Sequence, residues 1–181
     1  TQEMITILNF AKKLFKDNGL KEPLSFRTGG WFASIETLRA LEETGFLLDS
    51  SGRTEYSFGP NKLKGFWNLS STTQPYHPSV SNQNFNSPEP TLGLWEIPNN
   101  GADSYWFSGE DMIQRFKDNF AGEPLLEKRQ VTYLSHPHWF NQDEQSRIEA
   151  VFNYINQFLY SKDLGPLKYV TLSDVYEAWS K

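Results

Sequence analysis

The chain has 181 residues, 38% hydrophobic and 22% charged, with a formal net charge of −5 and no cysteine. That suits one soluble globular domain spanning 1–181 and excludes disulfides and thiolate metal sites. Lys and Arg are scattered, which argues against nucleic acid and anionic membrane surfaces, and no apolar run approaches the ~20 residues of a spanning helix.

Residues 4–17 place Met4, Ile7, Leu8, Ala11, Leu14 and Phe15 at helical spacing, and Asn18-Gly19 supplies the stop. There is no signal-peptide pattern ahead of this helix, and no compartment is read. The absence of an initiator Met is taken to mean that an upstream leader or domain has been removed. Leu24-Ser25-Phe26 is a short extended run. Ser34 caps a second predicted helix with Ile35, Leu38 and Leu41 as its stripe, ended by Gly45. Phe46-Leu47-Leu48-Asp49 reads as the next strand.

Residues 50–91 break this rhythm. They are rich in Ser, Thr, Asn, Pro and Gly, and a loop of that length inside a domain is usually functional or mobile. Leu92 to Pro98 resumes a strand. Ser108 and Asp111 form a capping-box pattern ahead of Met112, Ile113, Phe116 and Phe120. Gln130 to Ser135 is a further strand, followed by a helix near 143–160. Tyr169-Val170-Thr171-Leu172 predicts a last strand, with Ser173 capping a closing helix. Strands alternating with helices imply an α/β fold with a mainly parallel sheet. A closed eight-stranded barrel takes ~250 residues. The expectation is therefore a partial or distorted β/α barrel.

Two strand ends carry residues that folding alone would not select. Phe26-Arg27-Thr28-Gly29-Gly30-Trp31 follows one run, and Leu134-Ser135-His136-Pro137-His138-Trp139 follows another. In alternating strand–helix proteins, active sites are built at that edge. Arg27 offers a planar cation that can hold a carboxylate in its ionised form, or a plain loop salt bridge. Gly29-Gly30 permits close backbone approach to a ligand, or an ordinary turn. His136 and His138 share a face on an extended strand, and His titrates where a leaving amine needs a proton; the plain alternative is a structural histidine. With His77 the pair could also form a zinc site.

The chain carries 14 Phe, 8 Tyr and 6 Trp. Trp31, Tyr76, Trp95, Tyr105, Trp106 and Trp139 sit in polar or Gly- and Pro-rich segments. Aromatic faces there suit stacking on sugar rings, which favours carbohydrate over nucleotide.

The ordered set resembles the C-terminal portion of the polysaccharide deacetylase family. It comprises Phe26 to Trp31, a helix, then Thr44-Gly45-Phe46-Leu47-Leu48-Asp49-Ser50-Ser51, and Leu134-Ser135-His136-Pro137. Gln74-Pro75-Tyr76-His77-Pro78 and Leu94-Trp95-Glu96-Ile97-Pro98 are similar to segments of a branch with a glycan groove. The likeness runs from about residue 1 to 180. It implies a distorted β/α barrel that hydrolyses the N-acetyl group of an amino-sugar glycan with a divalent metal, usually zinc. It also implies that Arg27 orients the base and that His136 protonates the departing amine. Gly29, Gly30, Trp31, Tyr76, His77, Trp95, Glu96 and His138 would contact substrate. The family's Asp-Asp and His-x-x-x-His metal motifs precede the helix at which this chain starts, so no metal ligand is expected here. The upstream half of the same protein is the expected partner, and this chain alone is expected to be inactive. Two rivals stand beside this reading: a glycan-binding module of the same fold without catalysis, and a zinc amide hydrolase using His77, His136 and His138.

Overall fold

A computed structural model describes every residue except Pro124, Trp139 and Leu164. Its elements in chain order are α1 (Gln2–Asp17), β1 (Ser25–Phe26), α2 (Ile35–Glu43), β2 (Leu48–Asp49), β3 (Ser57–Phe58), β4 (Leu63–Lys64), β5 (Trp95–Glu96), β6 (Ala102–Asp103), α3 (Gly109–Asn119), β7 (Tyr133–Leu134), α4 (Gln142–Ile155), α5 (Tyr160–Asp163) and α6 (Leu172–Trp179). The fold is mixed α/β with short parallel ladders. Among the described residues no helix is long and apolar enough to cross a membrane.

The packing divides into two compact units. The first comprises Thr1–Leu69, Pro75–Pro98 and Leu172–Lys181; the second comprises Ser70–Gln74 and Asn99–Thr171.

In the first unit, β1, β2 and β5 form a parallel sheet in that order. Ser25 pairs with Leu48 and Phe26 with Asp49; Leu48 then pairs with Trp95 and Asp49 with Glu96. The strands are short because Arg27-Thr28-Gly29-Gly30 turns the chain away after Phe26 and Pro98 has no N–H to continue β5. Helix α1 buries Ile5 and Leu8, and α2 buries Thr37, Leu38, Ala40 and Leu41 behind the Ser34 cap, whose side chain accepts from Thr37 N–H.

The expected strand over residues 169–172 does not form. Leu172 opens α6 instead, and Ser173 lies inside the helix rather than capping it. Leu172, Val175, Tyr176 and Trp179 recur at helical spacing and pack on Leu48, Trp95 and Ile97. Burying that stripe outweighs the β-propensity of Tyr169-Val170-Thr171.

Residues 50–91 are irregular but well tied. The antiparallel hairpin β3–β4 closes on Gly59, whose φ is +72°. Tyr56 Oη donates to Gly30 O at 2.8 Å and Gln83 Nε2 to Ala33 O at 2.7 Å.

In the second unit, β6 and β7 pair in parallel, Ala102 with Tyr133 and Asp103 with Leu134. Strand β6 has no apolar run and carries no signal in the sequence. The capping box at Ser108 forms as predicted, with side-chain and backbone bonds to Asp111 in both directions. Helices α3 and α4 enclose a core of Ala102, Met112, Phe116, Phe120, Val151 and Ile155. The helix expected over 143–160 stops at Ile155 and runs on as a single tight turn, Asn156–Phe158.

Candidate functional site

The first unit gathers its polar side chains at the C-terminal ends of β1, β2 and β5. Arg27 follows β1 directly. Its Nε donates to Ser50 O at 2.7 Å and its Nη2 to Ser50 Oγ at 2.8 Å. Asp49 ends β2 and Glu96 ends β5, in register and wholly buried. Ser51 donates to Asp49 through its N–H at 3.1 Å and its hydroxyl at 2.9 Å. The Ser51 oxygen in turn accepts from Thr28 N–H at 3.0 Å and from the Thr28 hydroxyl at 3.1 Å. Gly52 N–H donates to Glu96 Oε1 at 2.8 Å, and a Cβ at Gly52 would lie 2.7 Å from that oxygen. Only glycine allows the backbone this close.

Burial pushes both carboxyl groups up, Glu96 well above the usual carboxylate range with the Asp49 charge as the second cause. Glu96 Oε2 meets no donor among the described residues. Two carboxyls in one dry site do not ionise together readily, so the neutral form is favoured most at Glu96, the more strongly raised of the two. Arg27 acts on the pair through its field. Its own pKa is lowered by burial and raised by Asp49 and Glu96.

Gly29, Gly30 and Trp31 form a tight turn. Gly30 and Trp31 both take left-handed backbone, φ +60° and +59°, which is unusual for a tryptophan. The strain is held by packing: the Arg53 guanidinium lies 4.3 Å from the Trp31 ring centre and 4.7 Å from that of Tyr56. Trp31 is therefore only 5% exposed. This corrects the expectation of an open stacking face at Trp31, because a cation–π sandwich takes up the ring. Glu96 is likewise interior, bonded to Gly52 rather than available to a ligand.

Tyr76 bridges Glu96 through paired backbone bonds, and its hydroxyl donates to Gln83 O at 2.6 Å. Burial pushes its phenol well up, and the two neighbouring carboxylates add to the shift. His77 Nδ1 lies 3.1 Å from Leu94 O, so Nδ1 carries the proton, and its ring sits 4.0 Å from that of Trp95. Both rings are half-buried.

The second unit builds its own polar cluster at the matching ends of β6 and β7. His136, two residues past β7, sets Nε2 3.2 Å from Asp103 Oδ2. Asp103 is 2% exposed, and its other oxygen accepts from Tyr105 N–H at 2.7 Å. Ser104 N–H donates to Leu134 O at 3.0 Å. Glu144, 2% exposed, accepts at Oε1 from the Ser104 and Ser135 hydroxyls. His138 is exposed. Tyr105 and Trp106 stand exposed beside Asp103 as an edge-to-face pair, ring centres 5.0 Å apart. Trp139, expected to join the aromatic set, lies outside the described residues.

Arg27, Trp31, Tyr76, His77, Trp95 and Glu96 thus fall in the first unit, and His136 and His138 in the second. Sequence reasoning missed Asp103, whose strand shows no apolar alternation, and Glu144, which reads as a polar helix residue. The Asp-Ser and Ser-His dipeptides at two strand ends were the available signals. Comparison with family models, curated proteins and solved structures gives no match for this chain.

Proposed function

We propose that this chain is the C-terminal portion of a metal-dependent carbohydrate N-deacetylase, folded as part of a distorted β/α barrel and acting on an amino-sugar glycan. The observation that carries the reading is the His136–Asp103 pair. It joins a histidine at the end of one parallel strand to a buried carboxylate at the end of its neighbour. A carboxylate on one ring nitrogen fixes the orientation of an imidazole that must hand a proton to a leaving group. The exposed Tyr105–Trp106 pair, continuous with Asp103, offers the aromatic faces that sugar rings stack against.

Among the described residues no three His, Cys, Asp or Glu side chains converge where a metal ion could sit. The residues described here do not fit the implied metal, and no step is derived through it; that its ligands lie outside this chain rests on the family resemblance alone. The zinc alternative through His77, His136 and His138 gains no support from that arrangement.

In this reading water adds to the acetamide carbonyl carbon, the C–N bond then breaks to release acetate, and His136 gives its proton to the departing amine nitrogen while Asp103 holds the ring in line. Arg27 aligns the strand end after β1 through Ser50. The test is acetate release from an N-acetylated chitooligosaccharide by the polypeptide that carries this chain. Activity that depends on His136 and Asp103 supports the reading. Binding without any acetate release favours the non-catalytic glycan module.

A further inference from the structure

We infer that Glu144 is a positioning residue for the His136–Asp103 pair, an inference that rests on the proposed role of His136. The carboxylate comes from the first turn of α4, where Asn141 Oδ1 accepts its N–H at 2.9 Å. One oxygen, Oε1, accepts from two hydroxyls: Ser104, the residue after Asp103, and Ser135, the residue before His136. Glu144 therefore ties together the two strand ends that carry the pair. One turn further along α4, Arg147 Nη1 donates to Ser104 O at 3.1 Å and Tyr105 O at 3.2 Å. The same helix thus grips the Asp103-to-Tyr105 segment twice.

Stability alone does not account for this arrangement. Glu144 Oε2 is buried with no donor among the described residues. Ser104 and Ser135 also line a small, largely apolar cavity of about 100 Å³ with Met112, Ile148 and Val151. A buried carboxylate costs more than an apolar side chain of similar size unless its hydrogen bonds compensate, and those of Glu144 go to the two serines beside the pair. What the carboxylate supplies is register. With it in place, the Asp103 turn and the His136 strand end cannot shift past each other without breaking two charge-assisted hydrogen bonds.

The experiment is a double-mutant cycle in the polypeptide that carries this chain, with acetate release as the readout. Glu144→Ala should lower kcat roughly 10- to 100-fold with KM little changed, the scale expected when a catalytic group is misplaced by about an ångström. In a His136→Ala background the same substitution should cost nothing further, because the group it positions is gone. Glu144→Gln, which retains an accepting oxygen, should restore most of kcat. Ser135→Ala removes one of the two bonds and serves where Glu144→Ala does not fold; its smaller loss should also vanish in the His136→Ala background. Independently of activity, the His136 ring signals in an NMR spectrum should move in Glu144→Ala while those of His77 stay. Equal losses in both backgrounds, or unmoved His136 signals, would overturn the inference. Full activity in His136→Ala would instead overturn the proposed function itself.

Discussion

Asp49 and Glu96 face each other in register across β2 and β5 with both carboxyl groups sealed from solvent. Both folded-state pKa values lie above the ordinary ones, so between those limits the native state binds more protons than the unfolded chain. The contribution of the pair is therefore fully present below about pH 4 and is lost as pH rises through the raised Glu96 value. The urea midpoint should fall as pH rises above the ordinary carboxylate range. Glu96→Gln should flatten that slope, because its amide can donate to Asp49 while its oxygen still accepts from Gly52. Identical slopes in parent and variant would falsify Glu96 as the source of the slope.

Substitution at the second-unit pair separates chemistry from folding. His136→Ala should reduce deacetylation by ~10²–10⁴-fold, the usual contribution of a positioned general acid. Asp103→Asn should also lower the rate, because the amide replaces the carboxylate that holds Nε2. His138→Ala should be milder, since His138 is exposed beyond the strand end. Acetate release with folding monitored by circular dichroism checks all three, and near-full activity in His136→Ala contradicts the assignment.

The Trp31 sandwich is a matter of stability. Trp31→Ala should cost about 3–5 kcal/mol, the range for removing a buried aromatic side chain. Gly30→Ala should cost about 1–2 kcal/mol, because an L side chain is disfavoured in left-handed backbone. Its Cβ would also meet Phe32 Cδ2 at 3.0 Å. Denaturant unfolding of both variants gives the numbers, and a change below about 0.5 kcal/mol in Trp31→Ala would contradict the packing described.

Sugar binding should be read by tryptophan. Trp106 is 61% exposed and Trp95 half-buried beside His77. Titrating an N-acetylated chitooligosaccharide should quench fluorescence, and Trp106→Ala should weaken both quenching and affinity. Quenching and affinity left intact in that variant would remove the second-unit platform from the proposal.

Much of the local structure was legible in the sequence because it depends on neighbours in the chain. The helix over residues 4–17, the Ser34 cap, the Ser108–Asp111 box and the glycine after α2 are encoded within one or two helical turns, although α1 buries Ile5 and Leu8 and leaves Ile7, Leu14 and Phe15 of the expected stripe exposed. The same holds for the two strand ends at Arg27 and His136, where an apolar run stops at residues unsuited to a core. The local code failed at residues 169–172. There a β-branched run lost to a helical stripe that only the surface of Leu48 and Ile97 could reward. It also failed at Trp31, which a Gly-Gly neighbourhood marked as open. Arg53 and Tyr56, more than 20 residues away, close over it. Nor could spacing show that Asp49 meets Glu96, that Asp103 meets His136, or that Glu144 reaches Ser104 and Ser135. Composition and periodicity determined which segments are helical and where chains of apolar residues end. Register across parallel strands, set by packing between segments 30 to 50 residues apart, decided that Asp49 and Glu96 are buried together and that Asp103 meets His136.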